Sequence, residues 1–166
     1  MIAAADHPEL VDALALICPG LQPRVGVSTF ERLRIAIAFF TNKRKLFPIP
    51  LSDPALFTGE PDGQKFIAAD PLGLRFATAR LLASSTFIDR MVKKALSRVK
   101  APTLLMLAGQ DRIVDNAKTR ASFDRVSSKV KQVIEYPDAH HTLEFEPEPS
   151  RYAIDLIAWI DRTLQS

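Results

Sequence analysis

Two periods of apolar spacing divide the chain. Between Pro102 and Gly109 lie six apolar or small residues, Thr103–Ala108. They are too few for a helix and show no polar alternation, which predicts a parallel strand covered on both faces. A second strand is predicted over 132–136, leading into Pro137-Asp138-Ala139-His140-His141, and a third over 10–18, ended by the turn pair Pro19-Gly20. Helical spacing recurs over 29–40, with Ser28 or Thr29 as cap, over 72–84 after Asp70-Pro71, and over 86–99. It recurs again over 115–127, where Ala117, Ala121, Phe123 and Val126 offer an inner face. The last helix spans 150–164, with Tyr152, Ile154, Ile157, Trp159 and Ile160 mostly inward. Residues 1–6 are alanine-rich but barely exceed one turn, and read as the end of a longer helix broken by His7-Pro8. Strand, insertion, helix, strand, helix, strand, helix is an α/β order. It predicts about three parallel strands flanked by helices, in one domain over 1–166. The insertion, about 21–86, is half helical and half proline-studded, as a lid or cap would be.

Composition narrows the class without deciding it. The 166 residues suffice for a real core, and 22 basic against 19 acidic residues are interspersed rather than striped, so no nucleic-acid surface is indicated. The densest basic run, Asn42-Lys43-Arg44-Lys45, reads as a solvated loop or as a contact for an anionic lipid surface. A single cysteine excludes an internal disulfide, no apolar run is long enough to span a bilayer, and no export signal is visible. A cytoplasmic location is the resulting expectation.

Candidate chemistry gathers where strands end, since functional groups of open α/β sheets sit beyond the carboxyl ends of strands. Asp111 follows Gly109 by two residues and is either a turn carboxylate or a catalytic acid. Asp115 directly precedes a helix and fits an N-cap. His140 and His141 follow the last strand, and being adjacent, only one of them can face a given crevice. An Asp–His pair is two thirds of a nucleophilic triad. His7 carries no assigned role, and the three histidines and one cysteine show no metal-ligand spacing, so neither metal nor cofactor is expected.

The segments APTLLMLAGQDRIVD and VIEYPDAHHTLEFEPEPSRY together resemble the C-terminal part of an α/β-hydrolase. The similar branch is the monoacylglycerol lipase, lysophospholipase and serine aminopeptidase-like group. Gly109, Asp111 and Asp115 fall in a frame similar to that group's acid loop, so the resemblance implies that Asp111 is the catalytic acid. His141-Thr142-Leu143-Glu144-Phe145-Glu146 fits the group's histidine motif and implies that His141, rather than His140, is the general base. HPELVDALALICPGLQP resembles the strand after the nucleophile helix, and the Pro- and Phe-rich insertion takes the lid position. Phe39, Phe40, Phe47, Leu56 and Phe57 are the expected lining of an acyl site for a small-molecule or lipid ester.

One element of that resemblance is missing. The group's nucleophile sits in Gly-x-Ser-x-Gly, and none of the six glycines pairs with another around a serine in that way. The expectation is an incomplete serine hydrolase, an esterase, lipase or lysophospholipase whose residue 1 already lies in the helix after the elbow, inactive as this chain alone. The strand over 10–18 would then present an open apolar edge, prone to self-association or to docking a second chain. The alternatives are a non-catalytic module that binds an apolar ligand or a partner chain, and a degenerate pseudoenzyme.

Overall fold

From the N-terminus, a computed structural model describing residues 1–165 runs α1 (Ile2–Asp6), β1 (Leu14–Ile17), α2 (Thr29–Thr41), β2 (Leu46–Pro48), α3 (Pro61–Ala69) and β3 (Phe76–Thr78). It continues through α4 (Ala79–Ala95), β4 (Thr103–Ala108), α5 (Asn116–Asp124), β5 (Lys131–Tyr136) and α6 (Ser150–Leu164). Strands β1, β4 and β5 form a parallel sheet in the order β1-β4-β5. All six β4 residues are buried, the signature of a central strand covered on both faces. Successive side chains of a strand point to opposite faces, so β4 serves two cores at once. Leu104, Met106 and Ala108 join Tyr136, Leu143 and Trp159 under α6, while Leu105 and Leu107 join Ala4, Leu96, Val99, Phe123 and Val126 on the opposite face. This parallel sheet flanked by helices is the α/β-hydrolase architecture.

β1 is shorter than the pattern predicts. Pro8–Leu10 forms a 3-10 turn, because Pro8 fixes φ and donates no backbone hydrogen bond, and Leu10 is left exposed. At the other end Cys18 takes φ 39°, the left-handed region, and turns the chain out of the sheet while its N–H still reaches Met106 O at 2.9 Å. Among the described residues the outer edge of β1 pairs with nothing, and Ile17 is exposed there.

The insertion departs most from the pattern. The helices predicted over 72–84 and 86–99 are a single helix, α4, capped by Thr78 Oγ1 accepting from Leu81 N–H and followed by a 3-10 turn at Leu96–Arg98. Residues 76–78 instead form β3, antiparallel to β2, so Asp70-Pro71 starts no helix. α3 was hidden by Pro61-Asp62-Gly63, which looks like a turn; proline suits the first turn of a helix, where the lost N–H has no partner anyway. α2 agrees with its prediction, and Ser28 is its cap. Ile35, Ala38, Phe47 and Ala79 make a small separate core between α2, the β2–β3 pair and α4. α4 therefore bridges the two layers, its first turn packed in the cap core and its end, Ala95, buried near Leu96 beneath the sheet.

Two helix faces also differ from expectation. Ala117 and Ala121 face solvent, and α5 buries Thr119, Ser122 and Phe123 instead. On α6, Ile154 and Ile157 are exposed, whereas Tyr152, Leu156, Trp159 and Ile160 pack inward. No described helix is long and apolar enough to cross a membrane.

Candidate active site

β4 and β5 end side by side, and their loops are zipped together by backbone bonds. Gly109 N–H donates to Tyr136 O at 2.7 Å and Gln110 N–H to Ala139 O at 2.9 Å. The approach is so close that a Cβ on Gly109 would stand 2.2 Å from Pro137 O, so no other residue fits. On the far side, the strand leaving β1 braces the acid loop: Arg24 N–H donates to Ile113 O at 2.7 Å and Asp115 N–H to Gln22 O at 2.8 Å.

Within this frame Asp111 has a fully buried carboxylate. Oδ1 accepts from the N–H groups of Ile113 and Val114, both at 2.8 Å, and Oδ2 lies 2.8 Å from His141 Nδ1. Both oxygens are therefore committed as acceptors, which the ionised form supplies. The His141 Nδ1 must carry the proton in that bond, leaving the Nε2 lone pair free in the neutral ring. The imidazole keeps 22% of its surface exposed, enough to meet a reacting group.

The neighbouring candidates are placed elsewhere. Asp115 is the N-cap of α5, accepting from Lys118 N–H at 3.0 Å. That backbone bond, aided by the Lys118 side chain, lowers its pKa below the ordinary carboxylate value. His140 turns away from Asp111: its N–H donates to Glu146 Oε1 at 2.9 Å and its Nδ1 lies 3.2 Å from the same oxygen. Its ring fills the space over Gly59, where a Cβ would meet Cε1 at 2.4 Å. His7 pairs with Glu9 on the surface.

A short strap of the cap, residues 55–63, lies across the histidine loop. Thr142 N–H donates to Phe57 O at 2.9 Å, the buried Thr58 Oγ1 reaches Phe145 O at 3.5 Å, and Arg112 donates to Ala55 O at 3.3 Å. The Phe57 ring meets His141 edge-on, with centroids 6.3 Å apart. Of the five residues expected to line an acyl site, Phe57 sets its ring against the imidazole. Phe47 is buried in the cap's own core and Phe40 is among the most exposed apolar residues. A cleft of about 320 Å³ beside Tyr136, Glu146 and Arg151 lies behind the histidine loop and includes neither Asp111 nor His141.

Sequence reasoning gives Cys18 no role. Its thiol is buried at the carboxyl end of β1, and its Sγ, an Asp111 oxygen and a His141 nitrogen all lie within 4.8 Å of one another. Burial, and secondarily the Asp111 charge, push the thiol up to about 12. Its place at a strand end, directly before Pro19-Gly20, is the signal that could have found it.

The model of the family "Serine aminopeptidase, S33" matches residues 1–148. The chain belongs to that family. Among curated members of similar sequence is a monoacylglycerol lipase of Mycolicibacterium smegmatis, 26% identical over 161 residues, which cover 94% of this chain and 55% of the relative. Solved structures agree in fold. The monoacylglycerol lipase of Paleococcus ferrophilus superposes with a TM-score of 0.86 at 22% identity, over 96% of this chain and 62% of that one. A soluble variant of the Saccharomyces cerevisiae monoglyceride lipase gives 0.80 at 15% identity, over 97% and 60%. This serine aminopeptidase-family chain thus spans little more than half the length of the relatives it matches.

Proposed function

We propose that Asp111 and His141 are the acid and base of a serine hydrolase acting on lipid esters of the monoacylglycerol kind, with the nucleophile supplied by sequence outside these 166 residues. The observation that carries this reading is the 2.8 Å Asp111–His141 bond, made by a fully buried carboxylate that two backbone N–H groups hold in place.

The chemistry follows from that geometry. His141 Nε2 takes the proton of a serine hydroxyl as its oxygen attacks the ester carbonyl. Asp111 keeps the proton on Nδ1, orients the ring and stabilises the imidazolium that forms. The imidazolium then gives its proton to the departing alcohol, leaving an acyl-enzyme. In the second half a water molecule gives its proton to the same nitrogen while attacking the acyl carbonyl. The Phe57 ring beside His141 supplies an apolar wall against which an acyl chain could lie. This resting arrangement requires no metal or cofactor. As this chain contains no Gly-x-Ser-x-Gly, the reading expects it to be inactive alone.

A fluorescent fluorophosphonate, which labels only an activated serine, tests the reading. Labelling is expected when a segment carrying Gly-x-Ser-x-Gly is joined in front of Met1, and is expected to vanish with His141→Ala. Labelling of the 166-residue chain itself, or none in a folded longer protein, would overturn it. The unpaired β1 edge favours a second reading, a module that docks another chain there. A folded longer protein without labelling, and a tight complex formed through residues 13–18, would support that instead.

A further inference from the structure

We infer that Cys18, Asp111 and His141 form a binding site for a thiophilic divalent cation such as Zn²⁺, and that its occupation switches off His141 as a base. The three residues come from the ends of three different strands, so the site has no spacing signature in the sequence.

The geometry is close to what such an ion needs. A tetrahedral zinc site with bonds of about 2.0–2.3 Å holds neighbouring ligand atoms about 3.3–3.8 Å apart. The thiol sulfur, carboxylate oxygen and ring nitrogen already lie within 4.8 Å of one another. The sulfur need move inward by no more than roughly 1 Å, and ligation through Nδ1 opens the Asp111–His141 contact from 2.8 Å by about 1 Å or less. The donor set is one thiolate, one imidazole and one carboxylate, a combination suited to zinc and not to magnesium or calcium. Asp111 Oδ1 stays anchored by Ile113 and Val114, so Oδ2 can turn to the ion without losing its support. A fourth position is left for water.

Charge and proton balance agree. The thiol releases one proton to solvent, and thiolate plus carboxylate then cancel the two positive charges, so a buried cluster becomes neutral. Without the ion, burial and the adjacent carboxylate hold the thiol protonated; a divalent cation reverses that balance. Whichever ring nitrogen binds, the Nε2 lone pair is lost to catalysis. Ligation at Nε2 uses it directly, and ligation at Nδ1 drives the ring proton onto Nε2.

The metal site stands on the three side chains alone, while its inhibitory consequence rests on the hydrolase reading. Zn²⁺ titrated calorimetrically into the 166-residue chain should bind one to one and release one proton, tightening about tenfold per pH unit between pH 7 and 8. At a hundredfold excess over Kd the Tm should rise by about 5–10 °C. Cd²⁺ should give a sulfur-to-metal charge-transfer band. Cys18→Ser and Asp111→Asn should each abolish binding; metal-free melts of the two variants establish that both remain folded. Binding that survives Cys18→Ser, binding that survives Asp111→Asn, or no binding by the folded chain at about 100 µM Zn²⁺ would each overturn the site. In the nucleophile-bearing protein, Zn²⁺ should slow fluorophosphonate labelling at least tenfold, and Cys18→Ser should label at one rate with or without it. If that protein never labels while the short chain binds Zn²⁺ through Cys18, the hydrolase reading fails and the site remains.

Discussion

Gly109→Ala should break the candidate site from a position that takes no part in its chemistry. The added Cβ would stand 2.2 Å from Pro137 O, against an ordinary carbon–oxygen contact of about 3.3 Å. The ends of β4 and β5 must therefore part by about 1 Å, and both groups are backbone, so no rotamer change relieves the clash. Overpacking of this kind costs about 1–3 kcal/mol. Straining the Gly109–Tyr136 and Gln110–Ala139 bonds adds about 1 kcal/mol each at most. The sum, about 1–5 kcal/mol, predicts a fall in Tm of roughly 2–20 °C for a chain of this size. The same displacement would stretch the 2.8 Å Asp111–His141 contact beyond hydrogen-bonding distance, and in a complete enzyme costs about a hundredfold in turnover. Urea denaturation of the 166-residue chain measures the first effect, and the downfield imidazole proton resonance of His141 reports the second. Gly20→Ala is the matched control, because its Cβ would meet nothing within 4 Å. If Gly109→Ala stayed within about 0.5 kcal/mol of the parent, the range of an ordinary surface change, with an unshifted imidazole proton, the close approach would not be what aligns the pair.

Three other outcomes are expected. Asp111→Asn keeps an acceptor for Ile113 and Val114 but presents an amide N–H₂ to His141, which forces the proton onto Nε2; fluorophosphonate labelling of a nucleophile-bearing protein should drop by about 10⁴, and a loss below tenfold would remove Asp111 from its role. Leu107→Ala leaves a cavity under a completely buried strand residue and should cost about 2–5 kcal/mol in a urea titration. Asp115 has a folded-state pKa below its unfolded value, so its contribution is present above the unfolded value of 3.8 and is lost as pH falls through the lowered one. Melts between pH 5 and pH 2 should therefore show a loss in the parent that Asp115→Asn flattens, and parallel curves for the two proteins would contradict the cap bond as its source.

The sheet was legible where one local signal sufficed. β4 reads from its run of apolar or small residues between Pro102 and Gly109, and its bounds match to the residue because Pro102 and Gly109 punctuate a run whose one polar member, Thr103, bonds its hydroxyl to Ala101 O. An Asp–His pairing was legible because Asp111, His140 and His141 all follow strand ends; the choice of Asp111 and His141 comes from the family resemblance, and the fold joins those two at 2.8 Å. The cap was misread for the opposite reason. The apolar positions between 72 and 99 satisfy a helical period, yet Leu72, Leu74, Phe76, Phe87 and Ile88 are exposed, so the period there did not report burial. The antiparallel β2–β3 pair sets Leu46 opposite Thr78, a contact that no local window contains, and Pro48 within it argues against a strand. Sequence reasoning sets Cys18 aside as a ligand because ligand spacing is a local pattern, whereas sheet order is what brings residue 18 beside residues 111 and 141.

The insertion holds α2, the β2–β3 pair and α4 together through Ile35, Ala38, Phe47 and Ala79, and meets the histidine loop through the strap at 55–63. These two jobs fall on different residues, which separates what selection can alter from what it must keep. Under the hydrolase reading proposed above, substitutions on α2 and the outer face of α4 would reshape what is admitted without touching the contacts that seat the imidazole. Changes at Phe57 reach the His141 ring directly, and changes at Gly59 or Thr58 reach the histidine loop through His140 and Phe145. A library built to change substrate preference should therefore draw its diversity from the first set and leave the strap unvaried.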